Sequence, residues 1–160
     1  MNKNLMAGIG MLVLATAAHA GGNMAALQQQ VQVASHDGKV IATLSAHNGG
    51  AKAVYLPNAA YKSDRLFGRV FDIKNLDTGA EVDYTGPMVK RGPYTRADYL
   101  ALKPGAKHRH AIDITSSYDF KPGTHHYQLS YAGSYLADVA HLDAATEAPL
   151  APVKFSHTGK

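Results

Sequence analysis

The chain has 160 residues, with 16 Lys and Arg against 12 Asp and Glu, a formal net charge of +4, and no cysteine. Without cysteine there is no disulfide framework, and stability has to come from packing alone. The basic excess reads as mild and scattered, with no basic run and little aromatic interleaving, which argues against a nucleic-acid partner.

The N-terminus reads as an export signal. Lys3 supplies a short positive region, Met6 to Ala18 an apolar run, and Ala18-His19-Ala20 a small-x-small cleavage site. The apolar run falls short of the about 20 residues that a membrane-spanning helix needs, so no stable membrane insertion is expected. No cysteine stands near the cleavage point to carry a lipid. Removal of residues 1–20 leaves one domain, residues 21–160, in the periplasm or outside the cell, long enough to bury a real core.

Taken in order, the remaining chain is a series of short strand signals. In Leu27 to Ala34, Leu27, Val31 and Val33 fall on one face and Gln28, Gln30 and Gln32 on the other. The Val-x-Val end favours a strand over the alternative helix. His36-Asp37-Gly38 is a turn, and Lys39 to Ala46 a second strand with Val40, Ala42 and Leu44 facing in. Ala51 to Leu56 is a short third strand stopped by Pro57. Arg65 to Lys74, aromatic and β-branched, is the clearest strand of all, and Glu81 to Tyr84 resumes beyond the turn at residues 75–79 as its hairpin partner.

Residues 84–105 are the least generic stretch, with three Gly, three Pro and three Tyr around Lys90-Arg91. That is too punctuated for a hairpin turn and too apolar for a disordered linker, so it reads as an ordered crossover. Beyond it, Lys107 to Thr115 alternates with Ile112 and Ile114 inward, and Thr124 to Tyr131 puts Tyr127, Leu129 and Tyr131 on one face. Residues 132–148 are rich in small side chains and leave room for a helical turn around Leu136 to Leu142. Residues 149–157 read as a final edge strand, demoted by Pro149 and Pro152. Seven to eight short strands separated by Gly/Pro turns describe an all-β, immunoglobulin-like two-sheet antiparallel β-sandwich.

Two groups of residues could carry chemistry. His108 and His110 share the face of Ile112 and Ile114, and His125 shares that of Tyr127. If the two strands are neighbours, His108, His110, His125 and His126 would converge as ligands for Zn²⁺ or Cu²⁺. Without a fixed ligand spacing this periplasmic metal-binding module is the alternative reading, and no cofactor is the first expectation. The second group is the crossover, where Met88, Lys90, Arg91 and Tyr94 could enter a pocket on a partner protein. The plainer reading has Lys90 and Arg91 solvated or bridged to Asp83 or Asp98. There is no His-Glu-x-x-His, no Gly-x-Ser-x-Gly, no cysteine nucleophile and no phosphate-cradling loop, so the chain is not expected to be an enzyme.

The crossover motif, Asp83-Tyr84-Thr85-Gly86-Pro87-Met88-Val89-Lys90-Arg91-Gly92-Pro93, is followed by Ala97-Asp98-Tyr99 and Leu102-Lys103-Pro104-Gly105. It resembles the N-terminal β-sandwich domain of bacterial deuterolysin-type (aspzincin) zinc metalloendopeptidases. The likeness extends through Ile112-Asp113-Ile114, Tyr118-Asp119 and the strand up to Tyr131, and covers roughly residues 31–132. None of the zinc or catalytic residues of that family has a position in this chain, so none is carried over. The resemblance implies a stand-alone copy of a pro-domain-like region, and with it an inhibitor or folding helper of a zinc metalloendopeptidase.

Overall fold

The structure, a computed structural model, describes residues 26–160; the expected export signal lies outside them. Eight strands follow in order: β1 (Leu27–His36), β2 (Lys39–Asn48), β3 (Val54–Pro57), β4 (Asp72–Asn75), β5 (Tyr99–Leu102), β6 (Lys107–Asp113), β7 (Gly123–Ser130) and β8 (Val153–Gly159). A one-turn helix, α1 (Asn58–Tyr61), follows β3, and a 3₁₀ turn at Arg96–Asp98 leads into β5. The chain is thus an all-β, sandwich-like domain with the expected number of strands. None of its described helices is long and apolar enough to cross a membrane.

The strands form three antiparallel sheets rather than two: β1-β2-β6, β4-β7-β8 and the small pair β3-β5. The alternation read from the sequence decides which faces pack. Val40, Ala42 and Leu44 on β2, Ile112 on β6, Ile114 just after it, and Tyr127, Leu129 and Tyr131 along and after β7 are all buried. They meet Phe71, Ile73, Leu66 and Tyr61 in one core. Leu27 and Val31 of β1 are buried as expected. Gln29, on the same face, uses its amide to tie the core together. It accepts from the Tyr61 hydroxyl at 2.5 Å and donates to the Gly133 carbonyl at 2.8 Å.

Three expectations fail locally, each for a physical reason. The run Arg65 to Lys74 is a strand only over Asp72–Asn75. Phe71 is fully buried, but its backbone amide and carbonyl are both engaged by the Tyr118 side chain and are lost to any ladder. The hairpin partner at residues 81–84 is reduced to single bridges, Lys74 to Glu81 and Tyr84 to Tyr118. Leu136 to Leu142 is not helical, because Leu136 instead exchanges two backbone bonds with Tyr55 on β3. The last strand does lie at a sheet edge, paired with β7, and it also touches β1 through Ser35 and His157.

Candidate functional site

The crossover is anchored at both ends and bare between them. At its start, the Thr85 and Gly86 amides both donate to the Ser117 carbonyl, at 2.9 and 3.2 Å, and the Tyr84 ring packs edge-on against Tyr118. The Tyr84 hydroxyl then reaches forward to the Pro87 carbonyl at 2.8 Å. A side chain at Gly86 would bring its first carbon within 2.6 Å of that hydroxyl, so any larger residue there would have to push the Tyr84 ring aside.

At its far end Thr95 and Asp98 form a reciprocal cap on the 3₁₀ turn. The Thr95 amide donates to the Asp98 carboxylate at 2.8 Å, the Thr95 hydroxyl at 3.1 Å, and Arg91 reaches the same carboxylate at 3.2 Å. These donors, the Thr95 amide foremost, hold the Asp98 carboxyl below its ordinary pKa. Asn58 of α1 donates to the Ala97 carbonyl at 2.7 Å and fixes the turn to the body of the domain. The spacing Thr-x-x-Asp is a capping signature that the sequence displayed and the strand-centred reading passed over. Asn48, fully buried at the end of β2, secures the exit. Its side-chain amide donates to the Lys52 and Leu102 carbonyls, at 2.8 and 2.9 Å, and its backbone bonds to Gly105 and Ala106.

Between these anchors stand Met88, 80% exposed, Val89, 55%, and Tyr94, 57%, with Lys90 and Arg91. Single exposed apolar residues are ordinary, whereas here three stand within seven positions of one loop. Val89 donates its amide to the Phe67 carbonyl at 3.3 Å, and a shallow groove of about 410 Å³ opens beside Phe67, Val89, Lys90 and Pro93. Arg65 lies over the Phe67 ring, 4.9 Å from its centroid. Of the two cations that the sequence singled out, Arg91 is bridged to Asp98, while Lys90 has no ion-pair partner among the described residues. Residues 86–105 hold Lys90, Arg91, Arg96 and Lys103 against the single acid Asp98.

The four histidines do not converge. β6 pairs with β2 and β7 with β4 and β8, so His108 and His110 lie in one sheet and His125 and His126 in another. Carbonyls only accept, so His108 donates through Nε2 to Tyr61 at 2.6 Å and His110 through Nε2 to Ser63 at 2.8 Å. The pair braces α1 against β6. His125 donates to the Pro122 carbonyl at 2.9 Å, and His126 gives both its amide and its Nδ1 proton to Asp77. No group of three or more His, Asp or Glu arranged to hold a metal ion occurs among the described residues.

Compared with known proteins, the chain matches no protein family and none of the curated proteins. Among solved structures it is similar to the X-ray structure of Northeast Structural Genomics Consortium target SoR45, with 12% identity and a TM-score of 0.44 over 81% of this chain and 84% of that one.

Proposed function

We propose that the protein is an exported, non-catalytic binding domain that presents the Gly86–Tyr94 loop to another protein. The observation that carries this reading is the combination of three exposed apolar side chains, Met88, Val89 and Tyr94, with Lys90, which has no ion-pair partner among the described residues, on a loop anchored at both ends. A loop held at both ends loses little conformational freedom on docking, so more of its contact energy appears as affinity. The partner is a zinc metalloendopeptidase, and the domain is its inhibitor or folding helper; this part rests on the resemblance of residues 83–105 to the pro-domain-like region of deuterolysin-type enzymes.

The test is an affinity capture from secreted and periplasmic protein with residues 21–160 as bait. Recovery of a zinc endopeptidase whose activity falls as bait is added, and whose capture is lost with Lys90→Ala and Arg91→Ala together, supports the reading. Capture that is indifferent to the loop variants, or no capture by folded bait, overturns it.

A further inference from the structure

Backbone bonding around the small sheet determines which polar groups of β5 are free. Tyr55 of β3 spends both its amide and its carbonyl on Leu136, at 2.9 Å each way, so its polar groups face away from β5. In an antiparallel pair, facing residues alternate between exchanging both bonds and exchanging none. Tyr55 faces Ala101, so that pair exchanges none and the Ala101 amide and carbonyl point away from β3. Leu100 and Leu102, opposite Leu56 and Val54, carry the ladder instead.

β5 is the outer strand of its sheet, Ala101 is exposed, and neither its amide nor its carbonyl has a partner among the described residues. By the same alternation the Tyr99 carbonyl and the Lys103 amide also face outward. The Tyr99 amide is already closed by the Arg96 carbonyl, and the Lys103 carbonyl by the Ala106 amide. What remains is an acceptor at Tyr99, a donor and an acceptor at Ala101 and a donor at Lys103. That is the sequence of groups an added strand engages, and an edge left open in this way is a ready template for pairing.

The charge around this edge selects the occupant. Arg96 stands just before it, Lys103 just after it, and Lys90 in the loop that leads into it, while the one acid of the stretch, Asp98, is occupied by Thr95 and Arg91. Tyr94 packs against Tyr99 with ring centroids 6.2 Å apart, which adds apolar surface at the start of the strand.

We propose that the outer edge of β5 is a strand-addition site for an extended acidic segment of a partner protein. This deepens the binding-domain reading and rests on it for the partner's being a protein. The ladder supplies binding that is indifferent to side chains, and the flanking cations supply the preference for acidic sequence.

The probe is a labelled eight-residue peptide of alternating Glu and Val, with a heparin oligosaccharide as a polyanion that cannot form a ladder. Ala101→Pro removes the outward amide and leaves the ladder to β3 intact, because proline is tolerated where a strand's amide faces out. Ala101→Glu keeps the amide and places a like charge beside the segment, and it decides the matter if the proline variant fails to fold. The expected result is peptide binding that weakens at least tenfold in each folded variant and with added salt, together with shifts of the Ala101 and Lys103 amide resonances when peptide is added to the native domain. No binding of the peptide, binding unaltered by both variants, or heparin binding equally well and equally indifferent to them would overturn the proposal. Partner capture that survives both Ala101 variants but is lost with Lys90→Ala and Arg91→Ala would remove the edge site and leave the loop reading standing.

Discussion

The Tyr118 hydroxyl closes both backbone polar groups of Phe71: it donates to the Phe71 carbonyl at 2.7 Å and accepts from the Phe71 amide at 3.0 Å. One side chain, 47 residues away in sequence, thus replaces the two ladder bonds that a neighbouring strand would have made. Burial pushes the Tyr118 pKa up to about 12, so the hydroxyl keeps its proton across the physiological range and remains a donor.

Tyr118→Phe therefore leaves a buried amide and a buried carbonyl unpaired at once. The expected cost is about 1–3 kcal/mol, the penalty for orphaned buried polar groups. It is read as a lower urea midpoint with an unchanged slope; a stability equal to the native domain would show that water takes over the hydroxyl's role.

How much of this fold was legible in the sequence depends on where each backbone bond goes. Strands β1, β2, β6 and β7 were readable because alternating burial writes itself directly into the sequence: Val40, Ala42 and Leu44, or Tyr127 and Leu129, are buried as the period-2 pattern requires. Residues 65–71 look more strand-like than any of these, but strand propensity measures fit to a half-buried surface and is blind to a tyrosine that takes the ladder's place. That the crossover is ordered could be read from its composition. The apolar Met88, Val89 and Tyr94 do not pin it, however: they stand exposed, and the anchoring runs through Tyr84, the Thr95–Asp98 cap and Asn48. The separation of the histidines was not, since the period shows which face a residue takes and says nothing about which strand is its neighbour.

Asn48→Ala is expected to loosen the base of the crossover as well as the end of β2. It strips the donor from the Leu102 and Lys52 carbonyls and the acceptor from the Gly50 amide. A loss of about 2 kcal/mol or more follows if these groups stay dry. Faster amide exchange at Leu102 and Gly105 than at Leu44 would place the loosening at the crossover; uniform exchange would argue against it.

Two groups give stability opposite partners but the same pH sign. Burial holds the His157 imidazole below its ordinary pKa, so protonation favours the unfolded chain. Its contribution is whole above about pH 6.5, the unfolded value, and is lost as pH falls through the lower folded value. Urea midpoints measured from pH 8 downward should begin to fall in that window, and His157→Gln should flatten this part of the profile.

Asp77 acts further down the scale. Its carboxyl is held below the ordinary value chiefly by the His126 amide, then by the His126 ring. This contribution is complete above about pH 4 and disappears as pH falls through the depressed folded value. Asp77→Asn should narrow the acid limb below pH 4 while leaving the His157 window in place. A change in the higher window instead, with the acid limb unaltered, would show that Asp77 does not carry this part of the profile.

On the loop, Tyr94→Ala is expected to lower partner affinity about thirtyfold, the loss of about 2 kcal/mol typical of an aromatic anchor. Tyr94 is exposed, so the unfolding midpoint should not move. Equal losses in binding and in stability would show that its packing on Tyr99 holds the loop in place and does not contact the partner.

The contact between Ser35 and His157, 2.9 Å apart in space and 122 residues apart in sequence, sets the order in which the molecule can assemble. The β1–β2 hairpin closes over a two-residue turn and can form as soon as it leaves the ribosome, but the flank of β1 that meets β8 waits for nearly the whole chain. Contacts of such long sequence separation slow folding, toward the millisecond-to-second range of β-rich domains. During that wait the Ser35 side chain lacks the His157 ring it bonds, and a clip that removed β8 would take that partner away again, together with the ladder β8 makes to β7.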